Sequence, residues 1–175
     1  MRPRRQRPAL LCGPSTSPLG ANGRVRQAPT AHRLSRLRLR RDEIEQLLLV
    51  YTLIDNPIHC FQCKGVVDPK RLALSESQVD AVAGWQRVFA GLYELWLDSG
   101  EYEAWAKEQL LRRDGEVNIK GIAASAALSE TRPTFYWWFH FDDDPTPASC
   151  PWCSRSVTPA GRHGRVQCNS CRIVI

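Results

Sequence analysis

The sequence predicts an α+β protein in which a helical segment packs on a small antiparallel sheet, followed by a C-terminal zinc ribbon. Three observations carry this reading. β-rich runs flank a central stretch of helical periodicity. Six of the seven cysteines fall into three C-x-x-C pairs. The 175 residues, 43% hydrophobic with six Trp, suffice for one domain of ordinary size and a small appendage. No run approaches the roughly 20 consecutive apolar residues of a helical membrane span, so a soluble, cytoplasmic protein is expected.

Charge divides the chain into three parts. Residues 1–41 carry eleven Arg, no Lys and no acid, for +11. Residues 42–144 hold nine basic against eighteen acidic groups, for −9, and residues 145–175 hold four Arg and no acid, for +4. The first segment has five Pro, three Gly and no aromatic residue, so it cannot bury enough surface to offset its chain entropy and is expected to be a disordered arm. Its Arg could bind phosphate by counterion release, or mark a transit peptide. A wrongly assigned start is the third reading, because 20 Arg against 4 Lys over the chain suggests GC-rich coding. Cys12 stands unpaired in this arm.

Residues 42–147 then read as the α+β domain. A β-rich run, Leu47 to Ile54, leads to a hairpin tip, Asn56 to Gly65, which carries Cys60 and Cys63. Two thiolates do not saturate a zinc ion, so a second metal site would need His59, His140 or a symmetry mate's pair. Idle thiols and a redox dithiol are the other readings. The redox reading lacks a helix start directly behind Cys60, where Gly65 and two Val stand instead.

From Ser75 the period becomes helical. Ser75 to Gln78 is a capping-box pattern, and Val79, Val82, Trp85, Phe89, Leu92 and Trp96 recur at three and four. Asp98-Ser99-Gly100 ends this helix. A second, within residues 101–113, places Tyr102, Trp105, Ala106 and Leu110 on one face, and a third, Asn118 to Ser129, presents Ile119, Ile122, Ala123 and Ala126. These stripes read as core, and the carboxylates of Glu101, Glu103, Glu108 and Glu116 as a solvated face. No carboxylate pair stands out for acid–base chemistry.

After Pro133, alternation puts Phe135, Trp137, Phe139 and Phe141 on one face of a strand and Tyr136, Trp138 and His140 on the other. The second face is either core or an open surface on which bases stack. Asp142 to Ala148 reads as a stiff linker. Residues 148–175 form the ribbon: Cys150 and Cys153, fourteen residues, then Cys168 and Cys171. Two such knuckles joined by a hairpin, with Gly161 and Gly164 at its turn, close an S4 shell suited to Zn2+. Few large apolar side chains lie in this tail, so the ion is expected to supply its folding energy, about 10 kcal/mol or more. Paired disulfides or plain thiols are the bland alternative. Four protein ligands leave no open coordination position, so the zinc is expected to be structural. Arg155, Arg162, Arg165 and Arg172 could meet phosphates, although a tetrathiolate zinc carries −2 and absorbs part of their charge.

In combination, the segment from Leu95 to Leu110, residues 116–141, the CPWC knuckle and the terminal QCNSCRIV resemble an uncharacterised bacterial family described as zinc-ribbon-containing and a candidate nucleic-acid binder. NPIHCFQCKGVV resembles the same family's upstream C-x-x-C segment. The resemblance covers Ile44 to Ile175. It implies zinc at Cys150, Cys153, Cys168 and Cys171, and a recurring feature at Cys60 and Cys63. Ser154 stands where Gly is more usual. The expected function is therefore binding without catalysis: a zinc-dependent module for DNA or RNA, with Arg155, Arg162 and Arg165 on phosphates and Tyr136 or Trp138 as a stacking surface. The alternative is a zinc-ribbon adaptor that docks a protein partner without touching nucleic acid.

Overall fold

The first strand, β1 (Leu47–Leu49), pairs antiparallel with β2 (Ile58–Cys60), Leu47 opposite Cys60. The computed structural model describes residues 44–53, 56–141, 143–160 and 164–175. Residues 1–43, which include the Arg-rich arm, and residues 54, 55, 142 and 161–163 lie outside them. All described residues belong to one compact unit.

After β2 the chain enters three helices: α1 (Glu76–Asp98), α2 (Glu103–Leu111) and α3 (Glu116–Ser129). The expected capping box starts α1: Ser75 Oγ accepts from the Gln78 amide, and Gln78 Oε1 accepts from the Ser75 amide at 2.9 Å. Gln78 does a second job, because its Nε2 donates to Ala127 C=O at 2.7 Å and so ties the start of α1 to the end of α3. This turns Gln78 inward with Val82, Trp85 and Phe89. Val79, expected in the core, lies about 100° further round and is exposed.

The expected faces of α2 and α3 are corrected in the same way. Ala106 and Leu110 of α2 are buried, whereas Tyr102 and Trp105 are exposed. Helix α3 buries Val117, Asn118, Gly121, Ala124, Ser125 and Leu128, leaving Ile119, Ala123 and Ala126 outside. Polar and small residues win this face because of Tyr136. Its hydroxyl donates to Asn118 Oδ1 at 2.9 Å, while Asn118 Nδ2 donates to the carbonyls of Leu110 and Arg112 at 2.9 and 2.7 Å. A fully satisfied buried amide of this kind joins α2, α3 and the sheet at no unpaired cost.

Strand β3 (Thr134–Trp137) follows α3, and β4 (Thr158–Pro159), β5 (Val166–Cys168) and β6 (Ile173–Val174) complete one six-stranded sheet in the order β2-β1-β3-β6-β5-β4. The α+β class and the C-terminal cysteine cluster are as expected. The sheet is mixed rather than antiparallel: β3 runs parallel to both β1 and β6. The helical segment supplies the long crossover that parallel neighbours require. The sheet also runs across the boundary placed between residues 147 and 148.

Alternation sorts the central strands onto two faces. Tyr136 and Trp138 join Trp85, Phe89, Leu110 and Leu128 in the helix-side core, with Ile173 and Ile175 of the C-terminus. Leu48, Phe135, Ala160 and Val174 form a smaller cluster on the other face, with Phe61 and Trp137 packed against it. Among the described residues no helix is long and apolar enough to cross a membrane.

Two glycines test this packing with opposite signs. A Cβ at Gly121 would lie 2.8 Å from Tyr136 Oη and closer still to its ring, whereas nothing lies within 4 Å of one at Gly91 on the exposed side of α1. In urea unfolding, Gly121→Ala is expected to destabilise by about 1–3 kcal/mol. Gly91→Ala should stabilise by about 0.5–1 kcal/mol.

Candidate metal centre

Each C-x-x-C pair is followed by a residue in the left-handed region, and at Cys150 the hydrogen bonds that close the loop are clear. The amide of Cys150 donates to Arg155 C=O at 2.8 Å, and the amide of Ser154 returns to Cys150 C=O at 2.9 Å. The chain closes this loop by taking Ser154 to φ 61°, the left-handed region that Gly favours. Arg172, just after Cys171, stands at φ 52°, and Lys64, just after Cys63, at φ 59°. A non-glycine residue in that region costs about 1–2 kcal/mol, so convergence of the sulfurs is repeatedly favoured over backbone ease.

The Cys168–Cys171 knuckle forms the tip of the β5–β6 hairpin, and the Cys150–Cys153 knuckle faces it. The ligand atoms of Cys150, Cys153, Cys168 and Cys171 all lie within 4.8 Å of one another, and Cys153 and Cys168 Sγ are 3.7 Å apart. Cys150 and Cys168 are buried, Cys153 and Cys171 part-buried. Four closely spaced thiols of this kind can hold a metal ion. None of the four is in a disulfide.

Electrostatics point the same way. Burial pushes the Cys150 thiol up, and burial with the Cys153 and Cys168 thiols pushes Cys171 up strongly. Cys153 is pulled down to about 7, chiefly because the Arg155 amide points at its sulfur. One thiolate is thus favoured by the backbone, whereas Cys150 and Cys171 need a cation to share their charge.

The expected arginines are not gathered into one patch. Arg155 is exposed, but its Nη1 donates to Ser170 Oγ at 2.9 Å, bracing one knuckle against the other. Arg162 lies outside the described residues, and Arg172 is exposed beside Cys171. Arg165 stands on the sheet face away from the helices, 5.5 Å from the ring of part-buried Trp137. Lys64 Nζ lies 5.6 Å from the same ring. The expected stacking residues are corrected: Tyr136 and Trp138 are buried under the helices. Sequence alternation had separated Trp137 from that pair, but nothing in the sequence says which face the helices cover.

Cys60 is buried and Cys63 part-buried, and neither is in a disulfide. His59 does not complete a site with them, because its Nδ1 and Nε2 lie 2.8 and 3.2 Å from the carbonyls of Lys64 and Asn56. His140 does not join them either: among the described residues the four C-terminal cysteines are the one group with three or more candidate ligands.

Searches against family models, curated proteins and solved structures find no match. The resemblance drawn above therefore rests on the motifs alone.

Cys168→Ser should abolish tight metal binding by the C-terminal cluster and remove several of the roughly 10 kcal/mol a structural thiolate site contributes. The readouts are metal content and thermal midpoint. Ser154→Gly keeps the ligands and relieves the left-handed strain, so a gain of about 0.5–1 kcal/mol is expected in the metal-loaded protein.

Proposed function

We propose that this chain is a zinc-stabilised module that binds single-stranded DNA or RNA across the sheet face opposite its helices, without catalysing a reaction. Zinc is favoured by the donor set. With Zn–S near 2.3 Å, a tetrahedral shell has S···S edges of about 3.8 Å, and Cys153 and Cys168 Sγ stand 3.7 Å apart. Four protein ligands fill the shell and make the ion structural. Reduced thiols suit a cytoplasmic setting.

The observation that carries the nucleic-acid reading is part-buried Trp137, with Lys64 and Arg165 both close to its ring. A base can stack on an indole whatever its identity, and two flanking cations can meet the adjoining phosphates. Phe61, stacked on Phe135 with ring centroids 4.3 Å apart, extends the aromatic surface along the same face.

The −9 of the middle segment does not oppose this reading. Ten of its acids, Glu76 to Glu130, lie on or between the helices. The helices pack on one face of the sheet and Trp137 on the other, and solvent screening weakens what repulsion reaches it. Two cations and one stacking ring make a small footprint, so affinity in the non-specific range of about 10⁻⁴–10⁻⁶ M is expected.

Fluorescence anisotropy with labelled single-stranded oligonucleotides at graded salt tests this, each variant being compared with the full chain so that the basic arm contributes equally. Trp137→Ala should weaken binding by about 1–3 kcal/mol, or roughly 5- to 150-fold. Arg165→Ala should reduce the log–log salt slope by about 0.7. Unchanged affinity and slope in both variants would overturn the nucleic-acid reading and leave the protein-adaptor alternative.

A further inference from the structure

The Cys60–Cys63 loop is built like a metal knuckle. Its backbone repeats that of the Cys150 loop bond for bond. Cys60 N–H donates to Gly65 C=O at 2.8 Å, as Cys150 N–H does to Arg155 C=O, and Lys64 N–H returns to Cys60 C=O at 2.8 Å, as Ser154 N–H does to Cys150 C=O. Lys64 takes φ 59° and Ser154 φ 61°. In both loops the first cysteine is buried and the second part-buried. The likeness extends to the sulfur, since Gly65 N–H donates to Cys63 Sγ at 3.4 Å and the Arg155 amide points at Cys153 Sγ. A left-handed residue closes many ordinary hairpin loops, so what sets this tip apart is its match to the Cys150 loop together with an amide aimed at a thiol.

We propose that Cys60 and Cys63 are half of a second tetrathiolate site for a thiophilic divalent ion such as Zn2+, completed by the same pair from a second copy of this chain. Two thiolates leave two tetrahedral positions open, and among the described residues no third ligand stands near them. The ribbon shows how this chain completes a knuckle: it opposes a second one. A copy related by a two-fold axis through the ion supplies an identical knuckle, as an isologous contact requires. Cys60 ends β2, the edge strand of the sheet, and part-buried Cys63 follows it in the turn toward exposed Val66.

The site rests on the metal reading of the ribbon, and one experiment separates the two. The full-length chain, purified with zinc and then titrated with Co2+, is followed by metal analysis, thiolate-to-cobalt absorption and light scattering. A zinc-linked dimer with about three ions per two chains is expected, falling to a monomer with about one ion per chain in Cys63→Ser. Cys63 is the residue to change because it is less buried than Cys60, and the cobalt spectrum of the ribbon reports that the variant is folded. A wild-type monomer with one ion per chain would overturn the shared site while leaving the ribbon reading intact. Two ions per monomer would also overturn it, assigning the missing ligands to the chain itself, Cys12 included. A dimer that survives Cys63→Ser with unchanged metal content would overturn it as well. Absence of any thiolate-bound metal would overturn both.

Discussion

Two backbone hydrogen bonds, from Tyr136 N–H to Arg172 C=O at 2.8 Å and from Trp138 N–H to Val174 C=O at 2.7 Å, fasten the cysteine ribbon to the centre of the sheet. Strand β6 is short, but it lies between β3 and β5, and its neighbour Ile175 reaches the core beneath the helices. The ligand cluster and the aromatic core are therefore one packing problem. A ribbon hung from a linker would answer only for itself. Here its second knuckle must hold Ile173 and Val174 in register for β3 to be covered on both edges.

That dependence explains where the chain accepts local strain. Each knuckle places a non-glycine residue in the left-handed region directly after its second cysteine. In exchange the backbone amides turn toward sulfur, and the strands leaving the knuckle enter the sheet at a fixed angle. Lys64 also gains a long side chain that reaches Trp137, which a glycine would not offer. The aromatic face and the knuckles are thus built from the same few residues.

Much of this was legible in the sequence. The capping box at Ser75, the three helices, the strand after Pro133 and the two C-terminal C-x-x-C pairs follow from short-range patterns, because each depends on residues within one or two turns of the chain. What periodicity could not supply was the direction of each face. Asn118 and Gly121 occupy the inside of α3 because a tyrosine from a distant strand needs an acceptor and room for its ring. Hydrophobicity alone would put Ile119 there. The parallel pairing of β1 with β3 was hidden for a similar reason: it is decided by the length of the intervening helical segment. Of the site residues, the cysteines were visible from spacing, whereas the meeting of Lys64, Trp137 and Arg165 joins three distant parts of the chain.

Cooperation between the candidate metal centre and the core is tested most directly by amide hydrogen exchange of metal-loaded and chelated protein. The amides of Tyr136 and Trp138 are the reporters, since both are held by ribbon carbonyls. The structure predicts that stripping the metal lowers their protection together with that of residues 166–175. Protection retained at Tyr136 and Trp138 while the ribbon exchanges freely would contradict it, and would mark the C-terminal segment as an independent appendage.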